Sequence, residues 1–284
     1  MSAAAASAIT LARSFLFVPA NRPDRYAKAL ASGADAVIVD LEDAVSPQDK
    51  APARGQLAAA FAGMAPAERA RLLLRINASG TPWHEDDLAL AQQLAAQGLA
   101  GVMVPKAESA AALQQVAAAV GQTCALVPLV ESASGLDALD ALAVSAQVLR
   151  LAFGNLDFQA DLGLACDADE AELAPVRLAL VLASRRAELA APVDGVTPAT
   201  GDAVQLSADV ARCRRGGFGA KLCIHPSQVA VVNAALAPTT EEVERARRVL
   251  AAYKQAGGGV FGLDGRMVDA PLVRLAQRIV DSLR

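Results

Sequence analysis

The 284-residue chain predicts an α/β fold: a (β/α)8 TIM barrel followed by a C-terminal helical extension and lid. Three observations carry this expectation. Eight short apolar, β-branched runs alternate with helix-like segments along the chain. The runs are almost continuously apolar, as in parallel strands covered by helices, instead of alternating apolar with polar residues. Hydrophobic residues make up 54% of the chain but aromatics only 4%, so Ala, Leu and Val must fill the interior. The length suits one such barrel, and a doubly wound open sheet is the alternative left by the same pattern.

Residues 1–13 read as a flexible N-terminal extension, without the basic stretch and long apolar core of a secretion signal. The barrel is expected over 14–238. Its strands fall in SFLFVPA (14–20), AVIVDLED (36–43), RLLLRIN (71–77), GVMVPKAE (101–108), ALVPLVES (125–132), VLRLAFGNLD (148–157), VDGVTPATG (193–201) and AKLCIHPSQ (220–228). Segments such as PDRYAKALASG and HEDDLALAQQLAAQG lie between them, opened by Pro or a capping residue and closed by Gly, which predicts helices. Residues 239–284 exceed what barrel closure needs. They comprise a helix at 241–256, a glycine-rich connection, GGGVFGLDGRMVD (257–269), and a last helix at 271–283, together readable as a lid or an oligomerisation arm.

Composition narrows the function. The net charge is −4, and the Lys and Arg residues form no long block, which excludes a nucleic-acid surface and an anionic membrane as partners. No run approaches the roughly 20 apolar residues of a membrane span, so a cytoplasmic location is expected. The four cysteines form no C-x-x-C pair and read as reduced, mostly buried thiols. With only His84 and His225 available, a metal would be held by carboxylates, which favours Mg2+ with Mn2+ possible.

Barrel chemistry sits where strands end. The polar residues there are Asn21 and Arg22, then Asp40, Glu42 and Asp43, Arg75 and Asn77, Lys106, Glu131, Asn155 and Asp157, Asp194 and His225. Any one could cap a helix or satisfy a loop amide. Together they predict one pocket holding both signs of charge. Glu131 and Asp157 end consecutive strands and can converge on a divalent cation, leaving most of its coordination positions to water and substrate. Asp161 reads as a turn-pairing residue without a ligand role. Arg75 is placed to clamp a substrate carboxylate, or else forms an internal salt bridge to Glu42 or Asp43. Lys106 is a substrate-binding candidate, with a Schiff base to a keto acid as the rival chemistry. His84 reads as a capping residue beside Trp83. His225, with Lys221 before it, is expected near the arm of a bound substrate.

The stretches LFVPANRPDRYAKALASGADAVIVDLEDAVSPQDK, RIN-x-x-GTPWHEDDL, PKAES, VPLVESASG, FGNLDFQADLG, GAKLCIHPSQV and GRMVDAPL, in that order, resemble the citrate lyase beta subunit-like branch of the HpcH/HpaI aldolase/citrate lyase family. The resemblance implies a Mg2+-dependent barrel enzyme, often a homotrimer, that breaks or forms a carbon–carbon bond beside an acyl thioester. It implies metal ligands at Glu131 and Asp157, a substrate-binding arginine at Arg75, and ordering of the pocket by Asp40, Glu42 and Asp43. It also implies a catalytic acid at Asp269, in a neighbouring subunit's site, which the strand ends could not have revealed. The reaction implied is cleavage of a 3-hydroxy-3-carboxyl acyl-CoA thioester, of citramalyl-CoA or malyl-CoA type, to acetyl-CoA and a 2-keto acid. Where this chain has GNLDF and IHPSQ, citrate lyase beta subunits resemble G-x-E-D-Y and I-N-P-x-Q, which sets citryl-acyl carrier protein second as a substrate. A barrel binding CoA esters without turnover is the remaining alternative.

Overall fold

The computed structural model describes residues 8–283. Eight parallel strands close into a barrel in sequence order: β1 Ser14–Pro19, β2 Ala36–Asp40, β3 Leu72–Arg75, β4 Gly101–Val104, β5 Ala125–Val130, β6 Ala152–Phe153, β7 Val193–Asp194 and β8 Ala220–Cys223. Closure is made by β1 on β8, with Phe15 opposite Leu222. Helices follow the strands and cover the outside, so the TIM-barrel expectation holds and the open-sheet alternative does not.

The two faces of each strand build two cores. Phe15, Ile38, Leu73, Met103, Val127, Leu129 and Leu222 fill the barrel interior, whereas Leu16, Val37, Leu72, Leu126 and Phe153 pack outward under the helices. Burial on both faces is why these strands read as unbroken apolar runs.

Two expected strands are much shorter than their apolar runs. In 148–157 only Ala152–Phe153 is strand, Val148 makes an isolated bridge to Leu126, and a helix begins at Asn155. Asp157 therefore stands in the first turn of a helix and not at a strand end. In 193–201 only Val193–Asp194 pairs. Behind these short strands lies an ionic network that fixes their ends: Arg177 donates from Nε to Asp194 Oδ1 (2.9 Å) and from Nη2 to Glu170, which also accepts from Arg212 Nη2 at 2.9 Å.

The N-terminal extension is packed wherever it is described, correcting the expectation of flexibility there. Residues 8–11 are helical, and Ile9 and Ala12 are fully buried against the inner core; residues 1–7 of that extension lie outside the described residues. A Cβ on Gly101 would come within 3.1 Å of Ile9 Cδ1 and 3.0 Å of the Ala125 carbonyl oxygen, so glycine lets the plug pack closely on β4. The fully buried Arg150 ties the plug down, donating to the carbonyls of Ala12 (2.6 Å), Ile9 (3.2 Å) and Ala191 (2.7 Å).

The chain divides into two compact units, one ending at Leu236 and one beginning at Ala237, against an expected division after residue 238. In the smaller unit, helices Thr240–Gln255 and Ala270–Asp281 pack around Ala246, Val249, Val268 and Ala276. Thr239 and Glu242 form a capping box at the start of the first. The glycine-rich connection contains an antiparallel hairpin, β9 Phe261–Leu263 and β10 Arg266–Val268. Its tip, Asp264 and Gly265, has φ of 52° and 74°, the left-handed pair a tight two-residue turn requires. Among the described residues no helix is long and apolar enough to cross a membrane.

Replacing Arg150 with Met would leave the Ile9, Ala12 and Ala191 carbonyls buried without their charged donor. The expected cost is about 3 kcal/mol, or a fall in melting temperature of roughly 6 to 12 °C; an unchanged melting temperature would show that the Arg150 hydrogen bonds contribute nothing to stability.

Candidate active site

All eight strands run in one direction, so their C-terminal ends form one mouth, and a cavity of about 370 Å³ opens there. Its floor is apolar, made by Phe17, Leu129, Val196 and Leu222, and its polar lining comes from Asp40, Asp43, Arg75, Glu131, Asn155 and Asp157. Of the residues expected there, Asn77 turns away to bond Asp87 and the Leu41 carbonyl, and Arg22 forks onto Asp24 at 2.8 and 2.7 Å. Asp194 is buried behind β7 on Arg177.

The loop after β2 is organised by Asp40. Its carboxylate accepts from the amides of Glu42 (2.8 Å) and Ala44 (3.1 Å) while receiving the Arg75 fork, Nε to Oδ1 at 2.7 Å and Nη2 to Oδ2 at 2.6 Å. Asp40 and Arg75 are register partners on β2 and β3, so the strand pairing itself brings them together. Arg75 Nη1 further lies 2.8 Å from Glu42 Oε2 and 3.4 Å from Asp43 Oδ2, and the guanidinium stacks 4.9 Å from the Phe17 ring centroid. The internal salt bridge weighed for Arg75 is therefore present, and its fork is used on Asp40. Arg75 lines the pocket with all three guanidinium nitrogens set against carboxylates. Behind the loop, buried Lys50 donates to the carbonyls of Leu41 (2.8 Å) and Glu42 (2.7 Å).

Glu131 follows β5 and is buried. Its Oε1 accepts the Lys106 main-chain N–H at 2.7 Å. Its Oε2 lies against Gly154, where a Cβ would come within 2.5 Å of that oxygen, so glycine here leaves room for the carboxylate. Lys106 reaches Glu131 with φ of 42°, a left-handed conformation costing a residue with a Cβ roughly 1 kcal/mol. The Lys106 ammonium lies 3.6 Å from Asp157 Oδ1, and both side chains are about half exposed, at 50% and 45%. Asp157 belongs to the first turn of helix Asn155–Leu162, whose N-terminal residues Gly154 to Asp157 line the pocket. The first amides of a helix have no partner within it and favour an anion. Asn155 holds this turn to the β7 loop, accepting from Val196 N (2.9 Å) and donating to Glu170 Oε1 (2.9 Å). Asp161 does not pair within its following turn but accepts the amide of Ala133, 28 residues earlier at the start of helix Ala133–Asp137, at 2.8 Å.

The electrostatics follow from burial. Loss of water pushes the Glu131 carboxyl up to about 7, with the Lys106 N–H opposing and Asp157 adding to the rise. Burial likewise pushes Glu42 up to about 8: Arg75 opposes, but Asp43, Glu131 and Asp40 repel its charge. Glu42 Oε2 sits near Arg75 Nη1 without accepting a directed hydrogen bond, which is why proximity to the cation does not outweigh burial. Burial alone would lower the Lys106 ammonium, but Glu131 and then Asp157 raise it. Glu131 and Asp157 together form an oxygen-only pair with space beside it. Two carboxylates of this kind suit a hard divalent cation completed by water and substrate oxygens; among the described residues no group of three or more His, Cys, Asp or Glu side chains could hold a metal ion.

A second cavity, of about 530 Å³, shares Phe17, Pro19 and Ile224 with the first and is lined by Arg25, Lys28 and His225. His225 is exposed and pairs its Nδ1 with Ser227 Oγ at 2.7 Å. Lys221 does not accompany it: it is buried outside the barrel interior, donating to the Gly195 carbonyl at 2.6 Å, because alternation along β8 turns it away from Leu222's side. His84 opens helix His84–Ala96 but anchors the preceding loop, its Nδ1 2.9 Å from the Asn77 carbonyl oxygen. In the smaller unit Asp269 caps the last helix, accepting from Leu272 N at 3.3 Å. Of the four cysteines, all are free and Cys124, Cys213 and Cys223 are buried.

The HpcH/HpaI aldolase/citrate lyase family model matches residues 13–226, the whole barrel up to the start of the helix after β8. The chain belongs to this family. It is accordingly an enzyme, a lyase. A citrate lyase subunit beta-like protein of Deinococcus radiodurans is 35% identical over 95% of this chain and 96% of its own. A (3S)-malyl-CoA thioesterase of Cereibacter sphaeroides is 33% identical over 90% of this chain and 89% of its own. Among solved structures, CitE of Mycobacterium tuberculosis in complex with magnesium, acetoacetate and coenzyme A superposes with a TM-score of 0.80 at 34% identity, covering 95% of this chain and 97% of that one.

The raised carboxyls give a pH test of the cation-free enzyme. The folded chain holds protons on Glu131 and Glu42 that the unfolded chain releases near its ordinary value of 4.5. Their contribution to stability is thus full below that value and is lost as pH rises through about 7 and about 8. In the presence of a chelator the melting temperature should fall between pH 5 and 9, with a shallower fall in Glu42→Gln; a rise over that range would contradict the assignment.

Proposed function

We propose that this lyase is a Mg2+-dependent acyl-CoA lyase that cleaves, or forms, a 3-hydroxy-3-carboxyl acyl-CoA thioester of citramalyl-CoA or malyl-CoA type. The observation that carries the reading is the meeting of Glu131, Asp157 and the open N-terminus of helix Asn155–Leu162 in one pocket. Glu131 and Asp157 would hold the cation, in keeping with the magnesium bound by the Mycobacterium tuberculosis relative. When bound, Mg2+ supplies positive charge to the substrate hydroxyl and carboxylate oxygens and to the developing carbonyl.

The chain's own groups do the rest. The helix amides after Gly154 and the Arg75 guanidinium receive the keto-acid carboxylate. Asp40 and Glu42 keep Arg75 in position. The apolar floor of Phe17, Leu129, Val196 and Leu222 suits a methyl or hydrogen substituent, and Arg75 is already matched by Asp40, Glu42 and Asp43. A second substrate carboxylate, as in a citryl thioester, has poor cationic support there. In cleavage the hydroxyl proton leaves to a carboxylate, the C2–C3 bond breaks to give the keto acid, and its electron pair passes to the thioester enolate, which takes up a proton at carbon. Asp269 is assigned this proton transfer, acting in a neighbouring subunit of a homotrimer. The CoA arm is assigned to the cavity lined by Asp24, Arg25, Lys28 and His225, where the Arg25 and Lys28 cations match its phosphates. Lys106 beside the pocket completes the substrate-binding set, and a cytoplasmic location accords with CoA esters as substrates.

The deciding experiment presents citramalyl-, malyl- and citryl-CoA with Mg2+ and measures released keto acid and free thiol separately. Keto acid without free thiol is expected, with Glu131→Gln and Asp157→Asn each reducing turnover by a factor of 100 or more, on the order of 3 kcal/mol. Free thiol with intact hydroxy acid would instead favour the thioester hydrolysis named for the Cereibacter relative.

Asp269 has its own test. Asp269→Asn and Glu131→Gln should each be inactive, whereas co-refolded mixtures should regain roughly a quarter of the sites of a cyclic trimer. No recovery in demonstrably mixed trimers would remove Asp269 from a shared site.

A further inference from the structure

Lys106 meets both carboxylates assigned to the cation, and it does so by two separate groups. Its main-chain N–H holds Glu131 Oε1 at 2.7 Å, and its ammonium lies 3.6 Å from Asp157 Oδ1. The left-handed backbone at Lys106, φ 42°, accompanies the hydrogen bond to Glu131. The side chain leaves from the same residue and ends at the other ligand. The charges that act on this ammonium include those of Glu131, Asp157, Glu42 and Asp43, an anionic cluster that Lys106 meets with a half-exposed positive charge.

We infer that Lys106 is a built-in stand-in for the divalent cation: its ammonium neutralises Asp157 while the metal is absent and must withdraw when the metal binds. The inference rests on the assignment of Glu131 and Asp157 as metal ligands. Two features make the exchange feasible. Both side chains are half exposed, so the pair parts at little cost. A separate cavity of about 320 Å³, lined by Lys106, Glu108, Ser109 and His84, gives the displaced ammonium room and an anionic neighbour in Glu108. The Glu131 contact is unaffected, because a main-chain N–H stays in place whichever way the side chain turns. Lys106 is thus a positioning residue: the backbone orients one ligand and the side chain competes for the other.

A competitor has an effect opposite to that of a supporting residue, and this makes the inference testable without turnover. In chelator-treated protein, Mn2+ and Mg2+ binding is measured by calorimetry. Lys106→Met removes the charge but keeps the N–H, and it should tighten metal binding by about tenfold, since a positive charge beside a divalent ion is lost. Lys106→Gly, which suits the positive φ, should tighten binding to a similar degree. The metal-free form of either variant should also melt lower relative to its metal-loaded form than the parent does, giving a larger metal-induced shift. Unchanged or weaker metal binding in both variants overturns the inference. Glu131→Gln with Lys106 intact is the control for the underlying assignment: retention of full metal affinity there would refute the ligand set itself, whatever the lysine variants do.

Discussion

Like charges crowded into one mouth govern this molecule. Asp40, Glu42, Asp43, Glu131 and Asp157 come together at the barrel mouth, set against the guanidinium of Arg75 and the ammonium of Lys106. Carboxylates repel one another and lose water on burial, so a fold that gathers them must hold each in place. It does this with strand register for Asp40 and Arg75, loop amides for Asp40, a strained backbone for Glu131 and a missing Cβ at Gly154. A divalent cation suits this surplus of negative charge.

Support behind the mouth is uneven. β1, β2 and β5 are five or six residues long, but β6 and β7 contribute two residues each. Where the ladder is shortest, the ionic network of Arg177, Glu170, Asp194 and Arg212 replaces it, and Asn155 transmits that support to the turn carrying Asp157. Buried charges are costly to assemble and costly to break apart, which gives a rigid scaffold where main-chain pairing is thin.

The barrel was legible because its strands are buried on both faces, and unbroken apolar runs follow from that. The mouth was legible in part. Asp40, Arg75 and Glu131 close apolar runs and do line the pocket, and Asp157 reaches it from a helix turn in place of a strand end. Run length misled for Asp194 and Lys221, because inward and outward directions alternate along a strand and a string of apolar letters does not mark which is which. The links from Asn155 to Glu170, side chain to side chain, and from the Lys106 main-chain N–H to Glu131 span 15 and 25 residues, a separation that leaves no local pattern. Asp269 enters as a candidate only through family resemblance, since its unit lies beyond the eight repeats; in the structure it caps the last helix.

The floor of the barrel bears on how the chain comes to be folded. Ile9 and Ala12 are held by Arg150, 141 and 138 residues later, and by strands that close only when β8 has joined β1. As synthesis proceeds, Ile9 and Ala12 can meet early strands such as β4, but the Arg150 side chain that ties them down follows only after more than half the chain has been made. Such long-range contacts slow folding and expose apolar surface meanwhile. The N-terminal plug is made first and seated late, so the nascent barrel stays open at its base through most of its translation.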